Sequence, residues 1–138
     1  VNVRSVFLMC KAVLPSMIER RRGRIINISS VAARTGGSPG AVPYAAAKAA
    51  VSTFTRGLAK EVADYGILVN AVAPGVIDTR FHQQYTAPEA FEAMVRTIPL
   101  GRAGVPDDVS GAVLFLASGL SDYITGEVIE VNGGMLMS

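Results

Sequence analysis

Three short apolar runs rich in β-branched residues, "RIINIS" (Arg24 to Ser29), "ILVNAVAP" (Ile67 to Pro74) and "EVIEVN" (Glu127 to Asn132), are separated by stretches long enough for a crossover helix. This alternation constrains the chain more than any other feature. A buried strand followed by a helix and another buried strand predicts a parallel sheet with both faces covered. Right-handed crossovers then set successive strands side by side. The expected order is α-β-α-β-α-α-β, a doubly wound α/β domain of Rossmann-like type.

The helices follow from periodicity and from their ends. Val3, Val6, Phe7, Val13 and Leu14 recur at helical spacing, predicting a helix over residues 1–22. Its end is basic, "ERRRGR", where cations complement the helix C-terminus and Gly23 suits a left-handed cap. "SVAARTGGSPGAV" reads as a loop, and Pro43 opens a helix that continues to about Asp64 and stops at Gly66. A short helix is expected from Pro88 to Arg96 within an irregular stretch. Another runs from Pro106 to Ser118, with Asp107 and Asp108 at its positive end.

Composition removes several classes of function. One cysteine, Cys10, and one histidine, His82, exclude a disulfide framework and a Cys/His metal centre, and indicate a reduced, cytoplasmic setting. The formal charge is only +2, with its basic excess concentrated in one helix end, which disfavours a nucleic-acid binder. No apolar run reaches membrane-spanning length. Half of the residues are hydrophobic, enough for one packed domain with apolar surface to spare for an oligomer. The chain opens on Val within an apolar-periodic segment, and three strands leave an unprotected edge. Both features read as a fragment whose other strands stood before Val1.

In such a sheet, ligands bind beyond the carboxyl ends of the strands. Ser29 and Ser30 close the first strand, Pro74 and Gly75 close the second, and "PYAAAK" places Tyr44 and Lys48 four residues apart on one helix face beside them. A phenol titrates near pH 10, so proton transfer near pH 7 asks for roughly 4 kcal/mol of preference for the phenolate. An ammonium at about 4 Å supplies that at an effective dielectric near 20. A serine hydroxyl alongside could donate to an oxygen on which charge develops. The trio suits proton transfer to a carbonyl or from an alcohol, and the hydride of an oxidoreduction must then come from a cofactor.

These residues resemble the short-chain dehydrogenases/reductases. "VNV" is similar to that family's helix asparagine, "INISS" to its serine strand, "YAAAK" to its Tyr-x-x-x-Lys, "VNAVAPGVIDT" to its Pro-Gly turn and "YITGEVIEVNGG" to its last strand. The resemblance covers essentially the whole chain and matches the C-terminal half of the family's domain. It implies Tyr44 as general acid/base, Lys48 lowering the phenol pKa and holding the nicotinamide ribose, and Ser30 orienting the substrate oxygen. Ser29 is the alternative, since strand neighbours face opposite sides and only one can serve.

The resemblance further implies that Asn2 holds a relay water, and that Pro74, Gly75, Ile77 and Thr79 line the nicotinamide of NAD or NADP. It implies a dimer or tetramer through residues 1–22 and 43–64, and a small secondary alcohol or ketone as substrate, whose contacts would come from the loop around Arg80 to Leu100. Phe81, Tyr85, Phe91 and Met94 there are expected either to close over substrate or simply to pack. The family's glycine-rich phosphate loop is absent from this sequence. The rival readings are a non-catalytic scaffold or oligomerisation module, a nucleic-acid module using "ERRRGR", and a dehydratase or epimerase.

Overall fold

The computed structural model describes residues 2–137; the side chain of Phe81 lies outside the described residues. Three parallel strands, β1 (Gly23–Ile28), β2 (Ile67–Pro74) and β3 (Val128–Val131), lie side by side in the order β1-β2-β3. Gly23 pairs with Ile67 and Ile28 with Val72 across the first ladder; Ala71 pairs with Val128 and Pro74 with Val131 across the second. Among the described residues six α-helices accompany them: α1 (Asn2–Glu19), α2 (Ala32–Thr35), α3 (Val42–Val62), α4 (Arg80–Tyr85), α5 (Pro88–Val95) and α6 (Pro106–Ala117).

Strand pleating sorts the two faces. Ile25 and Val69 point into a core with Cys10, Leu14 and Met17 of α1 and Leu58, Ala59 and Val62 of α3. Arg24, one residue out of step with Ile25, turns the other way and donates to Leu116 O at the end of α6. Helices α1 and α3 therefore cover one face and α6 the other, which is why β2, central and enclosed, reads as a continuous apolar run. Cys10 is buried in the first core, and burial pushes its thiol pKa up.

Two local expectations are corrected. Helix α1 ends with Arg22 N–H donating to Met17 O and Arg21 N–H to Ile18 O, and Arg21, at φ 50°, takes the left-handed position expected of Gly23. Gly23 instead begins β1, where a Cβ would stand 2.5 Å from Met17 Sδ; close helix-to-strand packing is what that glycine serves. The loop after Ser30 contains α2, four residues closed by Gly36 at φ 82° and too short to show a period in the sequence. Gly66, at φ 68°, does end the α3 segment after a 3-10 turn over Ala63–Tyr65.

Candidate active site

Every site residue named from the sequence except Asn2 lies at or next to the C-terminal ends of β1 and β2, or on the first turns of α3. Ser29 N–H donates to Val72 O and Val31 N–H to Pro74 O, so the chain leaving β1 stays stitched to the end of β2. Ser29 and Ser30 then separate. Ser29 is 2% exposed and its hydroxyl is spent on α3, donating to Lys48 O at 3.0 Å and lying 2.6 Å from Ser52 Oγ. Ser30, 9% exposed, is held differently: its Oγ accepts from Ala32 N–H at 3.2 Å, which leaves its own hydrogen free to donate.

Helix α3 starts with Pro43 in its first turn, and so places Tyr44 at the rim with 44% of its surface exposed. One turn on, the Lys48 ammonium stands over the Tyr44 ring, 5.7 Å from its centroid. Its hydrogen bond goes to Ile28 O, at 2.8 Å, the last carbonyl of β1. Partial burial lowers the pKa of the ammonium. A lysine so held is a fixed positive charge beside an accessible phenol.

Asn2 lies at the start of α1 and shares with Lys48 a groove of about 480 Å³. The groove is also lined by Arg24 through Ile28, a consecutive run that alternates between faces, so it follows the edge of β1. On the other side of the rim, Pro74, Ile77 and Thr79 line a second groove with Pro106, Val109, Ser110, Val113 and Leu114, about 650 Å³ and almost entirely apolar. A flat aromatic ring and its amide suit such a wall, with the Thr79 and Ser110 hydroxyls as its polar points. Gly75 serves the sheet rather than the groove. A Cβ there would fall 2.7 Å from Asn132 Cβ, so its missing side chain seats the end of β2 against the end of β3.

The residues after Thr79 form α4 and α5. His82 Nδ1 lies 2.9 Å from Thr86 Oγ1, its ring is 5.4 Å from that of Phe91, and Gln83 donates to Asp78, tying α4 back to the turn after β2. Tyr85 is largely exposed, and Phe91 and Met94 are half-buried. Of the supports that hold the rim, the sequence singles out only Ser29, and that as the alternative substrate serine; its buried partner Ser52, the pair Asn27 with Thr55, and Asn70, which bonds Ile124 O and Glu127 N–H, it does not. Their only signal is polar residues two apart on β1 and three apart on α3, on faces otherwise apolar.

Comparison with known proteins identifies the family and the fold. A family model described as enoyl-(acyl carrier protein) reductase matches residues 1–136. The chain is 46% identical over 137 residues to the 3-oxoacyl-[acyl-carrier-protein] reductase FabG of Rickettsia prowazekii, covering 99% of this chain and 56% of that protein. To the enzyme of the same name from Aquifex aeolicus it is 50% identical over 135 residues, covering 98% of this chain and 54% of that one. The crystal structure of 3-oxoacyl-[acyl-carrier protein] reductase from Brucella melitensis superposes with a TM-score of 0.95 at 41% identity, over 100% of this chain and 51% of that one. The chain spans about half the length of the relatives it matches. Motifs, parallel sheet and these likenesses agree: the chain belongs to the short-chain dehydrogenase/reductase family and corresponds to the C-terminal half of that family's domain.

Proposed function

We propose that this chain carries the catalytic half of an NAD(P)-dependent reductase that interconverts a ketone and a secondary alcohol, with a 3-oxoacyl thioester as the substrate class. The observation that carries the reading is the Lys48 ammonium 5.7 Å from the centre of the Tyr44 ring, bonded to Ile28 O at the strand end that Ser30 follows. The 3-oxoacyl group comes from the names of the relatives. When bound, the nicotinamide cofactor supplies the hydride.

The residues of this chain do the rest. Ser30 Oγ–H donates to the substrate oxygen, and Tyr44 Oη delivers the proton to it as the carbonyl becomes an alcohol. Lys48 stabilises the negative charge left on the phenol and would hold the ribose, while Pro74, Ile77 and Thr79 would flank the ring, with Gly75 shaping the turn between them. The spent assignment of Ser29 favours Ser30 as the serine in contact with substrate. Asn2, across the groove from β1, would hold the water through which Tyr44 and Lys48 regain a proton.

The phosphate-binding half of the cofactor site would lie outside these 138 residues. Exposed Phe7, Leu8 and Met9 on α1 support a homo-oligomer, dimer or tetramer. Among the described residues no helix is long and apolar enough to cross a membrane. We place the protein in the cytoplasm on its single cysteine.

The test is reduction of a 3-oxoacyl thioester by the complete polypeptide with NADH and with NADPH, beside Tyr44→Phe. Turnover that falls by about a hundredfold or more in the variant, with coenzyme binding retained, is expected. Wild-type turnover in Tyr44→Phe would refute the assignment, and no turnover of any ketone with either coenzyme would refute the reaction.

A further inference from the structure

Four buried polar side chains join β1 to α3 beneath the rim. Asn27 Nδ2 donates to Thr55 Oγ1 at 2.9 Å, and Ser29 Oγ lies 2.6 Å from Ser52 Oγ. Their exposures are 7%, 0%, 2% and 7% respectively. The second pair reaches further, because Ser29 Oγ donates to Lys48 O at 3.0 Å and Ser52 Oγ lies 3.3 Å from the same oxygen. Lys48 Nζ in turn donates to Ile28 O at 2.8 Å. Two adjacent residues of β1 and its exit therefore hold both ends of one lysine, its carbonyl through a hydroxyl and its ammonium through a carbonyl.

Stability alone does not require this arrangement. Two buried hydroxyls that satisfy each other contribute little net over apolar groups of the same shape. What apolar groups lack is direction: a helix resting on methyl groups can slide along a strand, while a helix tied by hydrogen bonds of fixed length cannot. Moving α3 by one residue displaces its side chains by about 1.5 Å along the axis. A misplacement of about 1 Å costs on the order of a hundredfold in rate where proton donor and acceptor must meet.

Resting on the reductase reading above, we infer that Ser29 and Ser52 are positioning residues, fixing where the Lys48 ammonium stands relative to Tyr44. They touch neither substrate nor cofactor and act through the main chain at Lys48.

The experiment compares Ser29→Ala, Ser52→Ala and Ser29→Thr in the complete polypeptide, reading kcat, KM and melting temperature, with the Lys48 ¹³Cε shift followed against pH. Ser29→Ala is expected to lower kcat about tenfold with KM held within about twofold, the signature of a contact that matters in the transition state. Its Lys48 titration should move up toward that of a free lysine, as the burial that lowers it is relaxed. Ser52→Ala should shift both readouts in the same direction but less, because Ser29 keeps its bond to Lys48 O. Ser29→Thr keeps the hydroxyl and should restore both.

Alanine variants that melt earlier yet keep the wild-type kcat and lysine titration would overturn the inference. The lysine titration needs no turnover, so it tests positioning even if Tyr44→Phe were to refute the reductase reading. Should Ser29→Ala fail to fold, Ser52→Ala alone decides, by the same two readouts.

Discussion

Replacing Lys48 by methionine removes one charge and keeps most of the side chain's length, which separates its electrostatic role from its packing. The ammonium stands 5.7 Å from the centre of the Tyr44 ring, so a negative charge on the phenol is stabilised by about 3 kcal/mol at an effective dielectric near 20. That corresponds to roughly a hundredfold in the rate of any step in which the charge develops. The folded state loses much less. Lys48 Nζ makes its hydrogen bond to Ile28 O, and Ile28 is 45% exposed, so water can replace the ammonium at a cost of about 1 kcal/mol or less. Steady-state reduction at saturating coenzyme, with a thermal melt of the same sample, should therefore show kcat falling about a hundredfold while the melting temperature barely moves. Lys48→Arg keeps the charge but spreads it over a planar fork, and should fall between the two. A Lys48→Met protein with kcat within about threefold of wild type would show that the phenol does not depend on this charge.

Two further outcomes bear on the frame around the site. Asn70 is 2% exposed and braces β2 to the turn before β3, donating to Ile124 O at 2.9 Å and accepting from Glu127 N–H at 3.0 Å. Asn70→Ala strands both partners and should cost about 2–4 kcal/mol in urea denaturation; a loss below about 1 kcal/mol would mean that water satisfies them. Asp108 is held down to about 2 from an ordinary 3.8, chiefly by the Arg102 guanidinium and also by Val105 N–H. Its folded pKa is the depressed one, so its stabilising effect is complete above the unfolded value and fades as pH falls through the folded one. The stability difference between wild type and Asp108→Asn should shrink from pH 5 to pH 2. A difference independent of pH over that window would remove the ion pair from the account.

How far the sequence could be read depended on what carried each feature. The bounds of β2, Ile67–Pro74, were legible because a run enclosed on both faces is apolar throughout and stops at a proline. Pro106 with two aspartates marked α6 for an equally local reason, as Asp108 Oδ2 accepts from Val105 N–H at the helix start. The sequence reading carries α1 to residue 22, three beyond its end at Glu19, since the rule that puts glycine in left-handed positions gives way to Arg21, which settles over Tyr65 and donates to Asp64 O. Helices α2 and α4 escape the sequence reading because four and six residues hold too few turns for periodicity to register.

Within the site, the spacing of Tyr44 and Lys48 was visible because residues four apart must share a helix face. The choice between Ser29 and Ser30 was not, for a reason specific to strands. Alternation states that the two point opposite ways, but not which way α3 lies, and only the packed helix reveals that Ser29 is taken by Ser52 and Lys48 O. The supporting pairs stayed hidden because serine, threonine and asparagine are as much at home on a surface as in a buried hydrogen bond.

Gly75 carries the same lesson one step further. Read as part of a Pro-Gly turn, it belongs with Pro74, Ile77 and Thr79 as a wall for the nicotinamide, yet its side chain is missing to make room for Asn132, whose Cβ a substituent would meet at 2.7 Å. Gly75 N–H donates to Val131 O, and the chain beyond it is pinned again where Gly104 N–H donates to Val76 O and Asp78 N–H to Gly104 O. The bearing of Ile77 and Thr79 is therefore set from β3 and from the strand-like bridge at Gly104, not from the groove they line. A side chain at position 75 would push the end of β2 away from β3 and turn that wall with it. The packing between two strands and the shape of the apolar groove are, at this residue, one constraint.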